Sequence, residues 1–164
     1  MSCSVKPINL LTVAILGCAG AFGTTIYTTP TALAPGTQYQ LVFVTADAGF
    51  ATSGTISDYN TFVTTEAALN ATLAAFDTAN GVTWTVIGST TAVNASANAP
   101  STGIVYTLNN VQVASGGLYG GSLLSSINID QSGNTLNTLV WTGSTTAGTV
   151  AGGINDLGQT FPEY

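Results

Sequence analysis

Beyond Lys6 the chain contains no lysine, arginine or histidine, and beyond Cys18 no cysteine. Everything downstream must therefore fold without a disulfide, a cation–carboxylate pair, or an imidazole or thiolate metal ligand. Apolar burial, backbone hydrogen bonds and neutral side-chain hydrogen bonds have to do that work. A chain of 164 residues is long enough to bury one such core, so a single domain is expected.

The one basic side chain has a context. Lys6 precedes the apolar run Ile8–Leu16 (INLLTVAIL), and the small residues Gly17, Cys18, Ala19, Gly20 and Ala21 follow. This is the pattern of a signal peptide. The run falls short of the roughly 20 residues that a membrane-spanning helix needs, which argues against an integral membrane protein. Ala19-Gly20-Ala21 forms a small-x-small site with cleavage before Phe22, so the expected organisation is a signal peptide at 1–21 and one domain at 22–164, secreted or at the cell surface. Ile15-Leu16-Gly17-Cys18 also has the look of a loose bacterial lipobox, with Cys18 as an alternative lipidation site on a lipid-anchored envelope protein. Simple cleavage is favoured, because Ile and Leu are not the commonest lipobox residues and no long polar tether follows Cys18.

The seven acids, Asp47, Asp58, Glu66, Asp77, Asp130, Asp156 and Glu163, are scattered rather than clustered. Nucleic acid is excluded as a partner, because neutralising phosphates takes Lys or Arg and neither remains after processing. A surface of Thr, Ser, Asn and Gly suits extracellular matrices, fibres and envelope layers, and permits self-assembly.

Along the chain, Thr24–Pro35 carries Pro30 and Pro35 and reads as extended. Tyr39–Thr45 (YQLVFVT) reads as a strand. Ser57 is placed as a helix N-cap, with Asp58 in the first turn and one helix running to about Ala79. Tyr59, Phe62, Val63, Leu69, Leu73 and Phe76 form its apolar stripe, and Asn80-Gly81 ends it. Val82–Ile87 is a second strand, containing Trp84. Ile104–Leu108 and Val111–Ala114 form a hairpin around Asn109-Asn110. Gly116–Gly121 is a loop, Leu123–Ile129 a short apolar strand, and Leu136–Trp141 the last strong strand. The class is α+β, with one main helix, several short antiparallel strands and a loop-rich second half.

Enzymatic chemistry is poorly provided for. Without His, Cys or Lys downstream of the leader, every Ser/His, Cys/His and Ser/Lys arrangement fails. A carboxylate-dependent hydrolase would have to assemble Asp47 with Asp58, or Asp130 with Asp156, and solitary acids more often serve as caps and turn residues. No catalytic residue, cofactor or metal is expected. The richest oxygen set, Asn128, Asp130, Asn134 and Asn137, lacks the dense acid spacing of a calcium loop and reads better as turn chemistry. Trp84 and Trp141 sit in apolar runs and read as core. Tyr119, in Leu118-Tyr119-Gly120-Gly121, is the candidate exposed contact for a ligand, with plugging of the core edge as the equally ordinary alternative. Asn70-Ala71-Thr72 and Asn94-Ala95-Ser96 match the glycosylation pattern.

Several segments taken in order, YQLVFVT, ISDYNTFV, VTWTVIGST, IVYTLNNVQVA with LYGGSLLSSINI, and VWTGSTTAGT, resemble a group of secreted bacterial proteins, many of which carry a PEP-CTERM sorting tail. Their domain looks like the endostatin-like branch of the C-type lectin fold. The resemblance implies a secreted or cell-surface, non-enzymatic module for recognition or assembly of extracellular material, with a glycan or matrix protein as ligand. The chain departs from that group where an Arg-containing loop, an Asp-Gly hairpin and a Trp-Asp-Gly pair are usual. Here those places read Asn94–Asn98, Asn109-Asn110 and Tyr119-Gly120-Gly121. No sorting tail and no returning last strand follow Trp141, so the expectation is either a C-terminally truncated domain or a first strand with an unpaired edge.

Overall fold

The computed structural model describes residues 25–159. The predicted signal peptide, its expected cleavage positions Ala19, Ala21 and Phe22 and the alternative lipidation position Cys18 lie outside the described residues. Where the sequence predicts an extended stretch up to Pro35, the chain instead turns. Thr37 N–H donates to Ala34 O, Tyr39 Oη–H donates to Thr28 O, and Thr31 is tied to Asn110 through both its backbone N–H and its hydroxyl.

Strand β1 (Tyr39–Val42) is followed by helices α1 (Ile56–Ala68) and α2 (Ala71–Asn80), the single-turn helix α3 (Ala95–Asn98), strands β2 (Ile104–Thr107) and β3 (Gln112–Ala114), and a short 3₁₀ turn (Gly153–Asn155). The fold is α+β. The sheet runs β1-β2-β3, with β1 parallel to β2 and β2 antiparallel to β3, so it is mixed rather than wholly antiparallel. The reason is the crossover. A parallel neighbour needs a long connection, and the helical segment between Val42 and Ile104 supplies it. The β2–β3 hairpin turns where the sequence predicts, with Asn110 at φ 67°, a left-handed conformation that Asn tolerates.

The long helix breaks in two. Leu69 is 66% exposed, and Asn70 leaves helical geometry so that its side chain can accept from Thr72 N–H at 2.9 Å and Leu73 N–H at 3.3 Å. An Asn that caps so well is a better helix start than a helix interior. α1 begins at Ile56 with Thr55 at the N-cap, not Ser57. Ser53 explains the shift: its Oγ accepts from Thr55 N–H and donates to Asp58 Oδ2 at 2.6 Å, drawing the first turn back toward Ser53. Gly81 ends α2 at φ 64°, as Asn80-Gly81 implies.

Two apolar clusters flank the sheet. On one side Val42, Val105, Val113 and Ala114 pack with Ile87, Leu118 and Ile127. On the other, Leu41 and Phe43 join Ala67, Leu73, Leu108 and Ile129, together with Ile26 and Trp84. The two-residue alternation along β1 divides Val42 from Leu41 and Phe43, and α1 and α2 cover the second face through Ala67 and Leu73. Val105, Leu108, Val113 and Leu73 are fully buried, each contributing about 1.5–3 kcal/mol relative to exposure.

Three predicted strands form no ladder. β1 ends at Val42 rather than Thr45, although Val44 still makes a parallel bridge to Asp130. Val82–Ile87, Leu123–Ile129 and Leu136–Trp141 are not sheet strands; Ile129 alone bridges Thr135. The second half is loop-rich, as expected.

Candidate functional site

The chain that continues from β1 lines one large cleft without interruption from Tyr39 to Ala51. Strand side chains alternate between faces, so a cavity touching one face would meet every second residue. Contact with every residue places the cleft along the outer edge of β1, the last strand of the sheet on that side. The opposing walls are the α1 face bearing Tyr59, Phe62 and Val63, the extended segment Val82–Ile87, and the segment Thr138–Thr142. The volume is about 1200 Å³, above the roughly 300–1000 Å³ usual for small-molecule pockets.

Each wall has a local cause. Tyr59 Oη–H donates to Ser53 O at 2.7 Å, which fixes the α1 end. Burial raises the Tyr59 phenol above its ordinary range, and the neighbouring Asp58 charge pushes the same way. Trp84 is held edge-on to Phe43, with ring centres 4.9 Å apart. Val86 is held by side chains instead of a strand: its N–H donates to Asn60 Oδ1 at 2.8 Å and its carbonyl accepts from Asn98 Nδ2 at 2.9 Å. The two amides also bond each other, Asn60 Nδ2 donating to Asn98 Oδ1.

The mouth is apolar and exposed. Phe50 is 89% exposed, Leu139 103% and Trp141 52%, so the expectation that Trp141 is a core residue is corrected: its segment finds no covering layer. The sequence reading missed Phe50 and Leu139. The available signal was a lone Phe in a Gly/Ala/Ser/Thr loop, with no periodic apolar neighbours to pack it.

The acids are separately employed. Asp47 and Asp58 are the charged side chains that line the cleft, and both are exposed. Glu66 is buried, its Oε2 accepting from Gln131 Nε2–H at 3.0 Å and Asp47 N–H at 3.3 Å. Asp130 Oδ1 accepts from Ser132 N–H and Asn134 N–H, both at 2.8 Å, and Oδ2 from Asn134 Nδ2–H. That is turn closure within one loop. Asp156 likewise accepts from Gly152 N–H in its own loop. Among the described residues, no group of three or more His, Cys, Asp or Glu side chains is placed to hold a metal ion.

Tyr119 stands outside the cleft. Its ring lies against Gly148, its hydroxyl sits 3.1 Å from Ala95 O and 3.0 Å from Ala99 O, and burial raises its phenol above the ordinary range. The glycosylation-like asparagines are helix N-caps: Asn70 starts α2, and Asn94 starts α3 with its Oδ1 accepting from Val150 N–H. No helix among the described residues is long and apolar enough to cross a membrane. No family model matches the chain, and no curated protein or solved structure is similar enough to count as a match.

Proposed function

We propose that the chain is an exported, non-enzymatic module, acting in the medium or at the cell surface, that recognises or helps assemble extracellular material. The observation that carries this reading is the open apolar cleft beside β1, with Phe50, Leu139 and Trp141 at its mouth. Exposed apolar surface of this kind marks interaction sites. Asp130 and Asp156 are each engaged in closing their own loops, which accounts for one of the two carboxylate pairs that a hydrolase would have to assemble. The order of strand, helix, Trp segment and hairpin fits the endostatin-like branch of the C-type lectin fold, and the domain is assigned there as part of the proposal.

The test is binding. The chain purified from medium or envelope is screened against immobilised glycans and extracellular matrix proteins, with tryptophan emission following Trp84 and Trp141, which both line the cleft. Saturable binding with an emission shift is expected, and substitution of Trp141 by Ala should weaken it. A flat response across the panel, together with a strictly monomeric protein at high concentration, would remove both halves of the reading. An intact mass matching Phe22–Tyr164 checks the export route.

A further inference from the structure

We propose that the cleft takes one extended peptide strand from a partner polypeptide, apolar along its length and carrying a Lys or Arg where it passes Asp47 and Asp58. The proposal rests on the recognition reading above and names its ligand class.

Shape is the first argument. From Thr83 to Ile87 and from Asn137 to Val140, no backbone group hydrogen-bonds to another backbone group among the described residues. Both segments face the cleft, as does the outer edge of β1. Three lengths of chain thus border one space; side chains of Asn60, Asn98 and Thr64 already bond Val86 N–H, Val86 O and Trp84 O, which leaves Thr83, Thr85 and the outer edge of β1 with backbone groups open to new partners. An added strand supplies them in the way that edge strands bind peptides elsewhere. A sugar or a small metabolite would leave much of the length unfilled, because the volume of about 1200 Å³ exceeds the usual small-molecule range.

Charge is the second argument, and it selects the partner. Asp47 and Asp58 are the charged side chains in the lining, and no Lys, Arg or His exists anywhere from residue 25 to residue 159. Any cation set against them comes from beyond this stretch. A second copy carries the same formal net charge of −6 and brings no cation from its described residues, so it is a poorer occupant than a basic–apolar peptide. Phe50 and Trp141 at the mouth supply flat apolar surface for alternate side chains of such a strand.

The experiment uses the full purified chain and two synthetic peptides of about nine alternating Val and Thr residues, a typical strand length, one ending in Lys and the other in Glu. Binding is read by Trp emission and by amide hydrogen exchange. The Lys peptide should bind at least about tenfold more tightly than the Glu peptide, and should slow exchange at Thr83, Thr85 and β1. The preference should vanish in the Asp47→Asn, Asp58→Asn double variant. It should vanish equally in unmodified protein at about 1 M salt, where the screening length is about 3 Å, which keeps the test valid if the variant folds poorly. Equal affinity for the two peptides overturns the proposal, as does a dimer that protects the same amides. If neither peptide binds but a glycan does, this inference fails while the recognition reading stands. If peptides and panel are both silent, both fail.

Discussion

The indole N–H of Trp84 donates to Asp77 Oδ2 at 2.7 Å, across the turn that ends α2. An acid in the last turn of a helix opposes the helix dipole, so Asp77 is there for Trp84 rather than for α2. Replacing Asp77 by Ala relieves the dipole but strands the indole N–H, and the expected net cost is about 1–2 kcal/mol. The urea midpoint should fall accordingly, and native Trp emission should shift as Trp84 loosens against Phe43.

Two neighbouring helix starts should respond differently to the same change. Asn70 caps α2 with its side chain, whereas Thr55 at the start of α1 makes no side-chain cap bond. Asn70→Ala should cost about 1 kcal/mol, and Thr55→Ala no more than a few tenths. Equal losses in chemical denaturation would show that side-chain capping does not govern these starts.

Gly143 and Gly36 offer a sharper contrast. Both have positive φ, 65° and 86°. A Cβ on Gly143 would lie 2.6 Å from both Leu157 N and Ser89 O, whereas one on Gly36 meets nothing within 4 Å. Gly36→Ala should therefore cost only the left-handed penalty of about 1–2 kcal/mol. Gly143→Ala adds a backbone collision to that penalty and should cost about 3 kcal/mol or more, visible as a large drop in Tm or failure to fold.

Alkaline pH should destabilise the protein through its phenols. Burial raises Tyr119 above the ordinary value of 10.0, and Tyr59 shifts the same way. The folded state thus holds its phenolic protons after the unfolded chain has begun to release them. This contribution is complete below about pH 10 and is lost as pH climbs through the folded value. Tyr119→Phe should cost about 1 kcal/mol at neutral pH, from the lost bond to Ala95 O and Ala99 O, and should flatten the decline above about pH 10 in urea midpoints taken across that range.

Local features were legible in the residues, and non-local ones were not. Asn80-Gly81 and Asn109-Asn110 act through their own backbone preferences, and both turns stand where expected. The apolar runs at Val82–Ile87 and Leu136–Trp141 read as strands because strand composition is local, while strand pairing depends on a neighbour that composition cannot name. The same limit misplaced Trp141, since a run of apolar residues reports the tendency to be covered but not the presence of a cover. The break at Asn70 was open to reading from its capping chemistry, but the apolar spacing continues across it and masked the signal. The cleft was out of reach, because it is built from segments that are adjacent only once α1, β1 and the Trp84 segment have docked.

The paired amides of Asn60 and Asn98 carry a consequence for the order of assembly. Asn60 comes from α1 and Asn98 from α3, and between them they satisfy both the N–H and the carbonyl of Val86. Each amide reaches Val86 only once its own helix is seated, and the full set of bonds, with the amides also bonded to each other, requires both. Three residues far apart in the chain thus join α1, α3 and one wall of the cleft through side-chain bonds in place of a sheet ladder.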